Sequence, residues 1–290
     1  MTEVYGRVKS FFSLVKFSHT IFAMPFALYG FALGIYDNNN EFNIRVLLLI
    51  ILCMVLARNA AMAFNRFADK NIDQLNPRTA KREIPAGIIS SRAALIFIFF
   101  NSVLFIIAAG FINRLTLFLS PLALLVILGY SLTKRFTPYS HLFLGLALAL
   151  APVGAYISVS GSFATVPILI GLMVLTWVGG FDIIYSQQDA EFDSANKLYS
   201  IPSRFGNKSA SVISSILHIL SILTALLVGL VSDAGIIYFG GTLVFAVLLL
   251  IEHLVARPGD SKSINMAFAT INSYAGLVFV VFAVADMYIV

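Results

Sequence analysis

Apolar residues fill this chain in long runs that are separated by short polar segments. A transmembrane helix needs about 20 consecutive apolar residues, and the runs predict nine such spans. The apolar residues do not alternate with polar ones, as Leu47–Leu56 illustrates, so a membrane β-barrel is excluded. We therefore predict an all-α integral membrane protein with nine transmembrane helices, forming one polytopic domain over residues 1–290. The predicted spans are 17–36, 46–67, 92–112, 115–133, 140–160, 164–186, 209–231, 234–255 and 266–288.

The composition agrees with a membrane protein. Hydrophobic residues make up 59% of the chain and charged residues 11%, whereas soluble domains are roughly half apolar and about a quarter charged. The first span follows basic residues, but it is too long for a signal peptide and has no small-residue cleavage site, so we predict a retained helix. The single cysteine, Cys53, lies inside the second span, which excludes a disulfide framework within the chain.

Lysine and arginine residues lie mostly on one side of the predicted membrane. Arg45 and Arg114 fall at one face and Arg58 lies within the second span, while the other 16 of the 19 basic residues fall at the opposite face. Because basic residues concentrate in cytoplasmic loops, this bias predicts a cytoplasmic N-terminus and an external C-terminus. Topology thus accounts for the net charge of +5, and no nucleic-acid binding is predicted.

The first segment that carries chemistry follows the second span. Asn65, Asp69 and Asp73 recur at every fourth residue, and in an α-helix this spacing places them on one face, each turned by about 40° from the last. Arg58 precedes Asn65 on the same stripe, deeper in the membrane, where an ionisable side chain usually serves a function. The pattern predicts a ladder of oxygen atoms at the cytoplasmic end of the helix.

The second segment follows the sixth span. Asp182, Tyr185, Asp189 and Asp193 fall within one narrow helical stripe, so two acid ladders could face each other. Close carboxylates repel one another unless cations are present. Oxygen ligands without a cysteine or histidine cluster favour a hard ion such as Mg²⁺, which often takes further ligands from a substrate phosphate.

Basic residues beside the two segments fit a phosphorylated substrate, since arginine forks and lysine charges bind phosphate oxygens. The alternative is that these acids and bases are ordinary solvated loop charges near the lipid headgroups. The flanking bases are Arg78, Lys81, Arg82, Lys134, Arg135, Lys197 and Arg204.

These motifs resemble those of the UbiA-type intramembrane aromatic prenyltransferases. That family carries one NxxxDxxxD and one DxxxD motif, which match Asn65-Asp69-Asp73 and Asp189-Asp193 here. The extended form DxxYxxQDxxxD is met by Asp182, Tyr185, Gln188, Asp189 and Asp193. The stretch Lys197–Pro202 and the following Arg204-Phe-Gly206 also look like the family's sequence after the second motif.

The resemblance implies a bundle of nine helices around a central cavity that opens to lipid, in a bacterial inner membrane. A polyprenyl diphosphate and a small aromatic acid would be its substrates, Mg²⁺ its cofactor, and the active site would face the cytoplasm. The catalytic and metal-binding residues would be Asn65, Asp69, Asp73, Asp189 and Asp193. The predicted substrate-binding residues are Arg58, Arg78, Arg82, Tyr130, Lys134, Asp182, Tyr185 and Lys197.

Several of these side chains have a second interpretation. Tyr130 and Lys134 resemble the family's tyrosine and basic residue near the diphosphate, although an interfacial tyrosine often serves as a membrane anchor. Lys16 and His19 could orient an acidic acceptor, or Lys16 could simply be a topology charge. Arg58 could bind the acceptor carboxylate or Asp69, or form a structural pair. The histidines of the later helices are predicted to be structural: His141, His218 and His253.

Three functions remain open from the sequence. The leading hypothesis is prenylation of a 4-hydroxybenzoate-like acceptor in quinone biosynthesis, and the alternative within the same family is a naphthoate acceptor in menaquinone biosynthesis. A hypothesis from another class is a cation-coupled secondary transporter. Transport predicts acids at mid-membrane and a broken helix there, for which Gly179-Gly180 is the best candidate.

Overall fold

The computed structural model describes Leu14, residues 23–257 and residues 260–289. These residues form twelve delimited α-helices, with a 3-10 turn at Gln187–Asp189, a π-helical turn at Ala267–Ile271 and no β-strand. The α-helices are α1 (Met24–Asn38), α2 (Ile44–Ala68), α3 (Lys70–Leu75), α4 (Ser91–Gly110), α5 (Arg114–Thr133), α6 (Ser140–Ser160), α7 (Thr165–Ser186), α8 (Ala190–Ala195), α9 (Ile201–Val231), α10 (Ile236–Val255), α11 (Ser261–Met266) and α12 (Asn272–Ile289).

The described part of the chain contains eight helical segments that are long and apolar enough to cross a membrane. They correspond to the second through ninth predicted spans, and most of their ends agree within a few residues. The first predicted span, 17–36, is described only from residue 23 onward, where α1 begins at Met24. The prediction of an all-helical membrane protein is therefore confirmed, while a count of nine spans stays a prediction.

One helix begins earlier than predicted. The hydropathy pattern predicts that the seventh span starts at residue 209, but α9 has a first helical turn from Ile201, inside a segment predicted to be a loop, and this turn is separated from the rest of the helix by a kink at Gly206. Ser200 explains the difference, because its side chain accepts a hydrogen bond from the Ser203 backbone while the Ser203 side chain accepts one from the Ser200 backbone. This capping box starts a helix in polar sequence, where hydrophobic periodicity carries no signal.

Of the described residues, the first of two compact units comprises Leu14 and residues 48–132 and holds most of α2 together with α3, α4 and α5. An apolar cluster joins α2 and α4 to the loop that precedes α4. Its buried members are Leu14, Ala63, Ile84, Ile89, Ala94 and Ile98. Asn59 Nδ2 also donates a hydrogen bond to Asn101 Oδ1 at 3.1 Å, which links α2 to α4. These contacts anchor the loop after the first acid segment.

The second unit comprises residues 21–47 and 133–290 and contains α1 and α6 to α12. Its core surrounds Trp177, whose indole Nε1 donates to Asn272 Oδ1 at 3.0 Å. Asn272 Nδ2 in turn donates to Glu252 Oε1 at 2.7 Å. This buried network joins α7, α10 and α12, and hydrogen bonds of this kind hold membrane helices together.

Helix α7 shows no break at Gly179-Gly180, the best candidate for the broken helix that the transporter hypothesis predicts. The helix is continuous from Thr165 to Ser186. A Cβ on Gly180 would overlap the His218 ring of α9, so this glycine permits close helix packing. The conformational feature expected of a transporter is therefore not present at this site.

Candidate active site

The first acid segment lies where α2 meets α3. The sequence predicts one continuous helix over Asn65 to Asp73, but α2 ends at Ala68 and Asp69 adopts φ −91° and ψ 6° before α3 begins. Two backbone hydrogen bonds preserve the spacing across this junction, since Asp69 N donates to Asn65 O at 3.0 Å and Asp73 N to Asp69 O at 2.7 Å. Asp69 and Asp73 are both buried, at 2% and 4% exposed.

Arg82 supplies a cation to the buried Asp73 carboxylate. Its Nη1 atom lies 2.7 Å from Asp73 Oδ1 and 2.8 Å from Oδ2, so one nitrogen bridges both oxygens. Charge-assisted hydrogen bonds of this length are among the strong ones. The Asp73 carboxylate is thus paired with the positive charge of the Arg82 guanidinium group.

The loop after α3 folds back to bring Arg82 to this position. Thr79 Oγ1 donates to the Asp73 carbonyl at 3.1 Å, and Arg82 N donates to the Thr79 carbonyl at 2.9 Å. Further along, the side chains of Ile84 and Ile89 are buried in the apolar cluster of the first unit. Arg78, another predicted substrate-binding residue, is exposed on this loop.

A second arginine near Asp73 is not among the residues that the sequence predicts for the site. Arg66 is 4% exposed and interacts electrostatically with Asp73 and with Tyr130. Arg58, which is among the predicted residues, also interacts electrostatically with Tyr130. Arg66 follows Asn65 directly, so the ladder spacing excludes it. An arginine inside the motif, at the end of an apolar span, is the sequence signal that could have identified it.

The second acid segment is interrupted. The predicted stripe assumes one helix from Asp182 to Asp193, but α7 ends at Ser186 and a 3-10 turn separates it from α8. Each 3-10 residue turns the chain by about 120° instead of about 100°. Asp193 is therefore rotated away from the straight extension of the Asp182 stripe. It is nevertheless buried, at 8% exposed.

Several predicted residues at this segment have partners in the second unit. The Asp182 carboxylate lies 2.7 Å from His141 Nδ1, a contact that sequence reasoning misses because it treats His141 as structural. The Tyr185 ring lies 4.4 Å from the Phe268 ring, measured between centroids. Lys134 lies close enough to interact electrostatically with Asp193.

The chain between α8 and α9 positions the remaining candidates. Lys197 is exposed and has a left-handed backbone, φ 56°, that ends the turn after α8. Tyr199 N donates to the Lys134 carbonyl at 2.8 Å, which fixes this segment against the residue that follows α5. Lys16 and His19 lie outside the described residues, so their predicted roles stay predictions.

Gly206 carries a conformational constraint next to this segment. Within α9 it adopts φ 79° and ψ 161°, a region open essentially to glycine alone. We expect Gly206→Ala to lower the free energy of unfolding by about 1–3 kcal/mol, measured by denaturant unfolding in detergent. Among the described residues no atom lies within 4 Å of the added Cβ, so strain alone would cause the loss.

Gly154→Ala in α6 is the matched control for this prediction. Gly154 also has open space around an added Cβ, but its backbone is helical. Alanine favours a helix over glycine by about 1 kcal/mol, so this variant is expected to be neutral or slightly more stable. Equal losses in the two variants would contradict a conformational role for Gly206.

The donor atoms of both segments fit a hard divalent cation. Carboxylate and amide oxygens are what Mg²⁺ binds, usually through one or two carboxylates, with water and substrate phosphate as further ligands. Within the described residues no group of three or more histidine, cysteine or acidic side chains gathers as a metal cage.

Comparisons with known proteins identify the family. The model of the UbiA prenyltransferase family matches residues 23–274. A protein named 4-hydroxybenzoate octaprenyltransferase from Nitrosomonas eutropha is 32% identical, over 81% of this chain and 82% of its own length. Another with that name, from Aeromonas hydrophila subsp. hydrophila, is 30% identical over 80% of this chain and 81% of its own length.

Solved structures agree with this assignment. The apo structure of a UbiA homologue from Aeropyrum pernix K1 matches with a TM-score of 0.82 and 32% identity, covering 93% of this chain and 98% of that one. A UbiA homologue from Archaeoglobus fulgidus, bound to GPP and Mg²⁺, shares the fold with a TM-score of 0.72 and 21% identity, covering 96% of this chain and 99% of that one. The chain belongs to the UbiA prenyltransferase family.

Proposed function

We propose that this protein transfers a polyprenyl group from an allylic prenyl diphosphate to a 4-hydroxybenzoate-like aromatic acceptor, in an Mg²⁺-dependent reaction of quinone biosynthesis. The observation that carries the proposal is the buried Asp73 carboxylate, which belongs to the family's first motif and is paired with the Arg82 guanidinium group. The relatives named 4-hydroxybenzoate octaprenyltransferase support the choice of acceptor. The Archaeoglobus homologue bound to GPP and Mg²⁺ supports the donor and the metal.

The acid segments would bind the metal. Asn65, Asp69 and Asp73 in the first segment and Asp189 and Asp193 in the second offer oxygen ligands. When bound, Mg²⁺ stabilises the charge that develops on a departing diphosphate.

The basic residues of the chain would orient the donor. Arg78, Arg82, Lys134 and Lys197 would bind diphosphate oxygens, by fork for arginine and by point charge for lysine. As the allylic C–O bond breaks, its electron pair leaves with the diphosphate. A ring carbon of the acceptor then forms the new C–C bond, and the ring loses a proton to regain aromaticity.

The remaining predicted residues would act on the acceptor and the allylic group. Arg58 would pair with the acceptor carboxylate, and Tyr130 and Tyr185 would border the reacting groups. The tilted contact between the Tyr185 and Phe268 rings supports an apolar wall beside the second acid segment. Asp182, the first residue of the extended motif, would contact the substrate.

We also propose the membrane placement that the charge bias favours. The protein would be one prenyltransferase domain with nine spans, a cytoplasmic N-terminus and an external C-terminus, in a bacterial inner membrane. Both acid segments would then lie at the cytoplasmic face, where a soluble aromatic acid is accessible. The prenyl chain would extend into the apolar interior of the bilayer.

A transfer assay with two acceptors tests the proposed function. The purified protein is given Mg²⁺, polyprenyl diphosphates of several lengths, and either 4-hydroxybenzoate or a dihydroxynaphthoate, and the prenylated product is measured. We expect product with 4-hydroxybenzoate. Product with the naphthoate alone would replace the acceptor and assign the protein to menaquinone biosynthesis. Product with neither acceptor would refute the quinone assignment.

A further inference from the structure

His141 lies beside the second acid segment although its position in the sequence is distant. It is the second residue of α6 and is 2% exposed. Its Nδ1 atom lies 2.7 Å from Asp182 Oδ2. A buried polar group of this kind must be hydrogen-bonded, and a carboxylate partner makes the bond one of the stronger ones.

The contact of the other ring nitrogen of His141 shows which nitrogen carries the proton in a neutral ring. Nε2 lies 3.3 Å from the backbone nitrogen of Ile201, and a backbone N–H group can only donate. Nε2 is therefore the acceptor, and in a neutral ring Nδ1 carries the proton and donates it to Asp182. This assignment follows from the hydrogen-bond network. The ring consequently has one orientation that satisfies both partners.

These two partners lie on either side of Asp189 and Asp193 in the sequence. Asp182 precedes the 3-10 turn, whereas Ile201 is the first residue of α9. The chain from 183 to 200, which includes the end of α7, the 3-10 turn and α8 and carries Asp189 and Asp193, is flanked by the two residues that contact the same imidazole. The His141 ring therefore contacts the chain both before and after Asp189 and Asp193.

We propose that His141 is a positioning residue for the second acid segment, through which it acts on diphosphate binding and prenyl transfer. The inference rests on the proposed function, since it concerns the same site. His141 itself touches Asp182 and the start of α9, so it acts through them. Groups that hold site ligands in place typically change affinity or activity by about 10- to 100-fold when they are removed.

Two substitutions separate positioning from packing. His141→Asn places an amide nitrogen near the position of Nδ1 and keeps a donor for Asp182. His141→Gln reaches toward the position of Nε2 and keeps an acceptor for Ile201 but loses that donor. We expect His141→Gln to weaken Mg²⁺-dependent binding of a prenyl thiodiphosphate by about 10- to 100-fold, and His141→Asn to retain most of it.

A double-mutant cycle measures the coupling to Asp182. If His141 acts in part through Asp182, the His141→Ala, Asp182→Ala double variant loses less transfer activity than the product of the two single losses. His218→Ala combined with Asp182→Ala is the matched control, because His218 is an equally buried histidine of the second unit whose ring nitrogens face His253 and the Trp177 carbonyl instead. In the control pair we expect the two effects to multiply.

The results distinguish this inference from the proposed function. Wild-type protein that transfers a prenyl group to no acceptor would refute the function, and the thiodiphosphate binding comparison would still test His141. Active wild-type protein with multiplicative losses for His141 and Asp182, or equal binding by the His141→Asn and His141→Gln variants, would overturn the positioning role alone.

Discussion

Asp193→Asn is expected to lower kcat for prenyl transfer by roughly 10²- to 10³-fold, because it removes a carboxylate that would hold Mg²⁺, the ion that stabilises the charge developing on the departing diphosphate. The substitution keeps the size of the side chain and removes its negative charge. Because Asp193 is buried at 8% exposed, water cannot readily replace the lost carboxylate. The measurement is the initial rate of product formation by purified protein at saturating Mg²⁺ and donor.

Glu191→Gln is the control for this prediction. Glu191 lies in the same short helix, α8, two residues before Asp193, but its side chain is exposed. Glu191→Gln therefore removes the same charge with little change in the buried site, and we expect its rate of prenyl transfer to equal that of the wild type. Similar losses in both variants would mean that net charge near the segment matters and that no particular carboxylate does.

Arg82→Ala is expected to destabilise the metal-free protein by about 3 kcal/mol, the lower end for removing one partner of a buried ion pair, because Arg82 is itself partly exposed. The substitution leaves the buried Asp73 carboxylate without the guanidinium that bridges both its oxygens. Added Mg²⁺ should restore part of the loss by supplying the cation. Denaturant unfolding in detergent, with EDTA and with Mg²⁺, measures both effects.

Arg92→Ala serves as the control for Arg82→Ala. Arg92 is a basic residue of the same unit, but it is exposed in the first turn of α4. Surface charges contribute about 0–1 kcal/mol, so Arg92→Ala should change the stability little, and Mg²⁺ should stabilise this variant only as much as it stabilises the wild type. If Mg²⁺ stabilised the Arg82 and Arg92 variants equally, Asp73 would not be the residue that receives the cation.

The spans could be predicted because a helix in a bilayer must satisfy its backbone internally and cover it with apolar side chains. Long runs such as 140–160 and 164–186 therefore predict helix bounds within one residue of α6 and α7. The segment around Ser200 could not be predicted in this way. Its helix starts through a capping box in polar sequence, and Gly206 interrupts it with a conformation that hydropathy does not encode.

The partners of the acids were harder to predict than the acids themselves. Regular spacing identified Asp69 and Asp73, because helical geometry is local. Arg82 reaches Asp73 because the loop after α3 turns back, and Ile84, two residues beyond Arg82, is buried in the apolar cluster of the first unit. Contacts of this kind are set by tertiary structure, and a single sequence gives no direct sign of them.

His141 is the clearest example of this limit. It is separated from Asp182 by 41 residues, and no spacing rule connects positions on two different helices. Isolated histidines in membrane helices suggest packing alone. The packing of α6 against α7 brings the two side chains together, so the partner became visible only in the structure.

The central claim is that both acid segments are needed for Mg²⁺-dependent departure of diphosphate. The most direct measurement is diphosphate release, followed together with prenylated product, in wild-type protein and in the Asp69→Ala and Asp189→Ala variants. We predict equal amounts of diphosphate and product in the wild type, none in EDTA, and loss of both in each variant. Full Mg²⁺-dependent release by either variant would contradict the claim.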